Sequence, residues 1–422
     1  MNPSNVQIPN LVVSQRVIDR MVAASRRFIQ DETGEAMVGF VDPGINTGGV
    51  PTLYVLDTIA PDESAERERY SFEQGDDVQG DIFLWLSDNW DIDRKLSTHN
   101  PKWNQRLMHL GDWHKQPGFM IAPSGGDLRS AMDTLDSATP DMGDFLLVPI
   151  VTLGHPATTQ GMPGNNYHAV AMQDGTHFRV DFWYIKRDVP VFFAISPAVY
   201  PADQLPTLAP YPWHIVHEKR ADLEIGQLEY DGLFVSDAIQ WNTDHSTPLE
   251  ICFILARLGA SRLLILVTQH DYPVTPPRVY VAPFQSMDAH EDQYELFSRL
   301  WQIATPVADP PGWKWDKDSY LIDYVHAVED MLGIDRPELT PDEAAAADPV
   351  DMEDLNEDHA ERSAVSGAVP TVDGNPVKSA GPVAAAADAD ITSTATGTTA
   401  DGNQPVSAGD PAGTANDTEL KS

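Results

Sequence analysis

The stretch "GDWHKQPGFMIAPSGGD", residues 111–127, concentrates more chemistry than any other part of this 422-residue chain. It opens at the end of an apolar run, "RLMHLGDWH" (106–114), that reads as a strand. A loop with Gly and Pro follows, and "DLRSAMDTLDSA" (127–138) then reads as a helix. "SGGD" fits a Ser-x-x-acid capping box, with Ser124 capping the helix that begins near Asp127. The same stretch offers an imidazole at His114 and a carboxylate at Asp127, and both are zinc-ligand types. A catalytic zinc needs about three protein ligands and an open position for water. Two residues therefore leave two readings open: a capped helix start beside a structural histidine, or part of a metal site. The second would be completed by a carboxylate that takes the water's proton and a hydroxyl that stabilises the oxyanion.

Outward from this stretch, periodicity supplies the frame. Val17, Ile18, Met21, Val22, Phe28 and Ile29 share one face of an amphipathic helix, with Gln15, Arg16, Asp19, Arg20, Arg26 and Arg27 on the other. Gly34 breaks that helix, and "AMVGFV" (36–41) reads as a short buried strand. "TLYVLDTIA" (52–60), "DFLLVPIVTL" (144–153) and "HFRVDFWYIK" (177–186) each read as a strand, and "DIFLWLSDNWDIDRKLS" (81–97) as a helix. The expected class is α/β, a mixed α/β domain.

Together these elements resemble the JAB/MPN (JAMM) metalloprotease family. Its signature is an upstream Glu, then His-x-His, seven residues, Ser, two residues and Asp. Here His114-Lys115-Gln116 is followed by residues 117–123, then Ser124, two glycines and Asp127. Trp113, Pro117 and Pro123 resemble the "WHxHPG…PS" context of bacterial members. "ETGEAMVGF" resembles their "ETGGILLG" and puts Glu32 at the family's glutamate position. The resemblance implies a JAMM-like domain over 10–205. It also implies that His114 and Asp127 ligate Zn²⁺, that Glu32 holds the bound water as general base and passes its proton to the leaving amine, and that Ser124 hydrogen-bonds the tetrahedral oxyanion.

The chain departs from the pattern at Gln116, where the family has its second histidine. A glutamine offers a neutral, hard carbonyl oxygen, which suits Ca²⁺ or Mg²⁺ better than Zn²⁺. Gln116 is then a weak third ligand, a ligand through water, or the mark of a lost metal. The exchange should weaken zinc binding by at least the roughly 10–100-fold typical of second-shell changes. His109, His155 and His168 are the candidate substitutes. Glu35 competes for the Glu32 role, but aligns with a glycine of the family pattern and reads as a solvent-exposed turn residue.

Past "SPAVYPADQLPTLAPYPW" (196–213), whose five prolines suggest a linker, the pattern changes. "LEYDGLFVS" (228–236), "LEICFILARL" (249–258) and "SRLLILVTQ" (261–269) give successive strand signals. "DYPVTPPRVYVAP" (271–283) crosses a Pro-rich turn, and "SYLIDYVHAVEDML" (319–332) is helical. An antiparallel meander followed by a helix suggests α+β. The turn resembles the "YPfxPPxvxF" crossing of ubiquitin-conjugating (UBC-fold) proteins, which implies a UBC-like domain over 213–335. That family's catalytic unit is a His-Pro-Asn element followed by a cysteine. Residues 284–312 contain neither; the one histidine there is His290, and Cys252 lies upstream in an apolar strand as a core thiol. The domain would form no thioester and would recognise ubiquitin or serve structure.

Composition narrows the partners. A net charge of −37 opposes binding to nucleic acid and to anionic membranes. One cysteine excludes an internal disulfide and a Cys-rich zinc module and suggests a reducing, cytoplasmic setting. Neither a signal peptide nor a transmembrane run is expected. Residues 341–422, rich in Ala, Gly, Ser, Thr, Asp and Pro and without aromatics, read as a disordered acidic tail. By family analogy, the chain is expected to be a zinc-dependent isopeptidase or peptidase in a bacterial ubiquitin-like modification or defence system, hydrolysing the tail or conjugates of a ubiquitin-like protein. The alternative is a catalytically inactive scaffold that binds a ubiquitin-like protein or pathway partners. A third class, a small-substrate metallohydrolase, would need a closed pocket.

Overall fold

A computed structural model describes residues 6–75, 78–95, 103–137, 143–286 and 290–336. The expected acidic tail, 341–422, lies outside the described residues. The first half contains β1 (Asn10–Ser14), α1 (Gln15–Arg27), β2 (Gly34–Asp42), β3 (Thr52–Ile59), a hairpin of β4 (Glu66–Glu68) and β5 (Ser71–Glu73), and α2 (Val78–Lys95). Then come β6 (Met108–Lys115), α3 (Gly125–Ser137), β7 (Phe145–Leu147), β8 (Ile150–His155), β9 (Tyr167–Ala171) and β10 (His177–Asp181). β11 (Trp183–Lys186), β12 (Val189–Ala194) and β13 (Pro197–Tyr200) complete this half. The large sheet has the order β13-β1-β3-β2-β6-β8-β10-β9, and a small one the order β12-β11-β7. It mixes parallel pairs (β1 with β3 and β13, β6 with β8) with antiparallel ones, so the class is α/β.

Alternation explains how two helices cover the large sheet. On β2, Met37 joins a cluster with Val17, Ile18 and Met21 of α1, while Val38 and Phe40 join Ile82, Trp85 and Trp90 of α2. The three α1 side chains are wholly buried, each contributing about 1.5–3 kcal/mol. Ile29 lies past the helix end and is exposed.

Two strand expectations are corrected by splits. "DFLLVPIVTL" breaks at Val148–Pro149: β7 enters the small sheet and β8 the large one. Pro149 has no N–H to give a ladder, and its carbonyl instead accepts from His114 N at 3.1 Å. "HFRVDFWYIK" breaks at Phe182 in the same way, between β10 and β11. The proline-rich 196–213 segment is also more than a linker. Its start is edge strand β13, where a proline removes no ladder bond that the sheet needs, and Leu205 and Leu208 are buried.

The second half contains α4 (Trp213–Val216), α5 (Glu218–Tyr230), β14 (Leu233–Val235), β15 (Ile239–Trp241), β16 (Glu250–Arg257), β17 (Arg262–Thr268), β18 (Arg278–Pro283), α6 (Gln293–Trp301), β19 (Thr305–Pro306) and α7 (Leu321–Leu332). β16, β17, β18 and β19 form an antiparallel meander, and β14 and β15 both pair with β16. "LEYDGLFVS" is corrected here too: Leu228–Tyr230 end α5, and only Leu233–Val235 are strand. The turn between them uses Gly232 at φ +78°. One face of this sheet joins α2, Leu205, Leu208 and α7 in a common hydrophobic cluster, and the other packs on Phe297 and Leu300 of α6. Among the described residues, no helix is long and apolar enough to cross a membrane.

Candidate metal centre

The site forms where β6 ends between β2 and β8. Gly34 stands opposite His114 on β2. A Cβ on Gly34 would lie 2.2 Å from Trp113 O and 3.2 Å from His114 Cβ, so this close approach requires glycine. On the other side Gln116 N donates to Val151 O at 2.9 Å. A bulge precedes the site: Met37 pairs with Gly111 and Val38 with His109, leaving Leu110 extra. Gly111 takes φ +124°, and the bulge re-aims the end of β6.

Asp127 arrives on α3. Ser124 Oγ accepts from Gly126 N at 3.1 Å and from Asp127 N at 3.2 Å, while the Asp127 carboxylate accepts from Ser124 N. These reciprocal bonds are the capping box. They fix the carboxylate towards β6, with Asp127 Oδ1 3.2 Å from His114 Nε2. Burial pushes the Asp127 pKa up, but bonds and charge from His114 and bonds from Ser124 outweigh it and hold the group well below the usual range.

Gln116 closes the triangle. Its Nε2 donates to Asp127 Oδ2 at 2.9 Å and lies 3.2 Å from His114 Nε2. It is 6 % exposed, and its Oε1 is buried without a hydrogen-bond partner. His114 Nε2 cannot satisfy both neighbours. If protonated, it donates to Asp127 but abuts the Gln116 amino group; if unprotonated, it accepts from Gln116 but turns a lone pair on Asp127 Oδ1. Of the atoms that meet here, His114 Nε2 and Asp127 Oδ1 are ligand types, and their 3.2 Å separation is close to that of two ligands around a tetrahedral cation with bonds of about 2.0–2.2 Å. The imidazole nitrogen and the carboxylate oxygen fit a divalent cation, and the Gln116 amide would add an oxygen ligand only if turned end for end.

Glu32 sits in the segment before β2 and is partly buried. Its backbone N donates to Glu68 O of the hairpin at 2.7 Å. Burial raises its carboxyl pKa, His114 and Lys115 oppose this, and Asp127 adds to it. His114 and Asp127 of the triangle, with Lys115 beside it, thus act on it electrostatically. Lys115, between the two ligand positions, is buried, and its Nζ donates to Phe28 O at the end of α1. Burial lowers its pKa.

The other histidines go elsewhere. His109 Nε2 lies 3.0 Å from Asp112 Oδ1, His155 Nε2 lies 2.7 Å from Thr152 Oγ1, and His168 is on edge strand β9. Among the described residues, no third His, Cys, Asp or Glu forms a close ligand group with His114 and Asp127. Glu35 is not the exposed turn residue expected. It lies within β2 and is 7 % exposed, because the strand begins at Gly34 and every second side chain must enter the α1 face.

Sequence reading missed a second group, Asp231, His326 and Glu329, whose ligand atoms are close enough to hold a metal ion. The i, i+3 pair His326 and Glu329 on α7 was visible, but nothing local brought Asp231 to it. Arg257 already serves this group: Nε donates to Glu329 Oε1 at 2.7 Å, and Nη2 to Glu329 Oε2 at 2.8 Å and to Asp231. Cys252 is buried on β16, and burial raises its thiol pKa well above the ordinary value, an environment that disfavours a nucleophile. No family model matches the chain, and no curated protein matches it at significant similarity.

Proposed function

We propose that the chain is a metal-dependent peptide or isopeptide hydrolase of the JAMM type, acting in the cytoplasm on the tail or conjugates of a ubiquitin-like protein in a bacterial modification or defence system. The convergence of His114, Gln116 and Asp127, with Glu32 electrostatically coupled to it, carries this reading. His114, Asp127 and the Gln116 amide oxygen would hold Zn²⁺, which as a Lewis acid lowers the pKa of bound water and polarises the scissile carbonyl. Glu32 takes the proton of the attacking water at its carboxylate and delivers it to the leaving amine. The Ser124 hydroxyl donates to the oxyanion, while its oxygen keeps the two cap bonds that hold it in place. Phe119 and Met120, both exposed in the loop after Gln116, offer apolar surface to a substrate tail. The ubiquitin-like substrate rests on the UBC-like pattern of 213–335.

A non-enzymatic binding scaffold is the second reading, and the amide at Gln116 favours it. Cleavage of a C-terminal fusion to a ubiquitin-like protein, measured in zinc-supplemented buffer, separates the two. Wild-type protein should cleave. Glu32→Gln should retain zinc yet lose turnover by about 100-fold or more, and His114→Ala should lose both. Zinc-saturated wild-type protein that cleaves no fusion overturns the hydrolase.

A further inference from the structure

We propose that the Gln116 side-chain amide is a built-in competitor for the cation, so that loading the site requires the amide to turn end for end. This rests on the metal-site reading above and adds that Gln116 sets the affinity of the site. Nε2 faces inward and donates to Asp127 Oδ2 at 2.9 Å, with His114 Nε2 at 3.2 Å. An amino group carries no lone pair to give a metal, and its hydrogens carry partial positive charge. The bonds observed and cation coordination through the same side chain are therefore mutually exclusive.

The two ends of the amide also differ in partners. Nε2 is engaged, whereas the buried Oε1 has none. End-for-end rotation brings the unpartnered oxygen to the position where Asp127 and His114 converge, and gives the cation a third oxygen or nitrogen ligand. It also breaks the bond to Asp127, a bond to a charged acceptor and hence among the stronger kinds. Neither partner need move, because β6 is clamped between β2 and β8 and Asp127 is held by its cap. Turning the amide exchanges a donor for an acceptor at this point, so its orientation decides whether the site holds itself together or holds an ion. A histidine at this position offers an uncharged nitrogen lone pair without breaking such a bond.

Zinc affinity of the full chain, measured by competition with a chelating dye, tests this beside a side-chain amide NMR spectrum of isotopically labelled glutamine. Gln116→His should tighten zinc binding by about 100-fold, the upper end of the effect of altered supporting contacts. Chelator-treated wild-type protein should show a glutamine amino group protected from solvent exchange, absent in Gln116→His, and saturating zinc should shift its resonance as the bond to Asp127 is lost. The proposal is overturned if wild-type and Gln116→His proteins bind zinc equally tightly, or if the Gln116 amide exchanges as fast as surface glutamines without zinc. A protected amide together with a Gln116→His protein that binds no zinc rejects the metal site itself, and the competitor role with it.

Discussion

Glu35 shows how much one residue's setting depends on the strand it joins. Its carboxyl is buried on β2 with one oxygen unpartnered. Burial raises its pKa above the ordinary 4.5, and Arg20 only partly opposes this. The folded protein therefore holds this proton to a higher pH than the unfolded chain does. The contribution to stability is fully present below 4.5 and is lost as pH rises through the raised folded value. Glu35→Gln should leave the melting temperature unchanged near pH 4 and raise it at pH 8, because a neutral amide has no charge to strip of water on folding. Thermal unfolding across that range checks it; an equal effect at both ends would refute the buried carboxyl. Residue types were enough to offer His114 and Asp127 as ligand types, a local property, and the resemblance to the JAMM signature added Glu32, Gln116 and the role of Ser124. They were not enough to place Glu35, since inward or outward direction depends on where the strand starts.

At the level of elements, the bulge in β6 and the cap of α3 position the site. Gly111→Ala would place a side chain at φ +124° with its Cβ 2.1 Å from Leu147 O. It should lower stability by more than the roughly 1–3 kcal/mol of backbone strain alone and weaken zinc binding, as read by denaturant titration and metal competition. Ser124→Ala should remove about 1 kcal/mol of cap stabilisation but keep the bond from the backbone N–H of position 124 to the Asp127 carboxylate. Zinc affinity should then change little; a large loss would show that the Ser124 side chain, and not this backbone N–H, orients Asp127. The helices α1, α2, α3 and α7 were legible because their apolar periodicity is internal to each. The splits at Pro149 and Phe182 were not. A continuous apolar run looks the same whether it stays in one sheet or passes to another, and only the second partner sheet decides.

For the whole molecule, the described residues fall within one compact unit, residues 1–370. One hydrophobic cluster joins Trp85 of α2, Leu205 and Leu208 of the proline-rich segment, and Ile251 and Phe253 of the meander. Trp85 Nε1 donates to Pro210 O, and Asn89 Oδ1 accepts from Leu249 N. Calorimetry should therefore show the two halves unfolding in a single transition, and Trp85→Ala should cost about 3–5 kcal/mol from both. Two separable transitions would contradict a shared core. Arg257→Met should likewise lose about 3–5 kcal/mol, because it leaves Glu329 charged and buried without its guanidinium.

The sequence by itself determined the α/β class and the main helices, because hydrophobic period and capping chemistry are written in neighbouring residues, and its resemblance to the JAMM signature nominated the candidate constellation. Tertiary structure alone decided that Gln116 bridges Asp127 and His114, that Arg257 fills the Asp231–His326–Glu329 group, and that the proline-rich segment is packed into a common core. Each of these depends on contacts between residues distant in the chain or on which atom of a side chain faces inward. Such contacts form only when whole sheets and helices bury their apolar faces together.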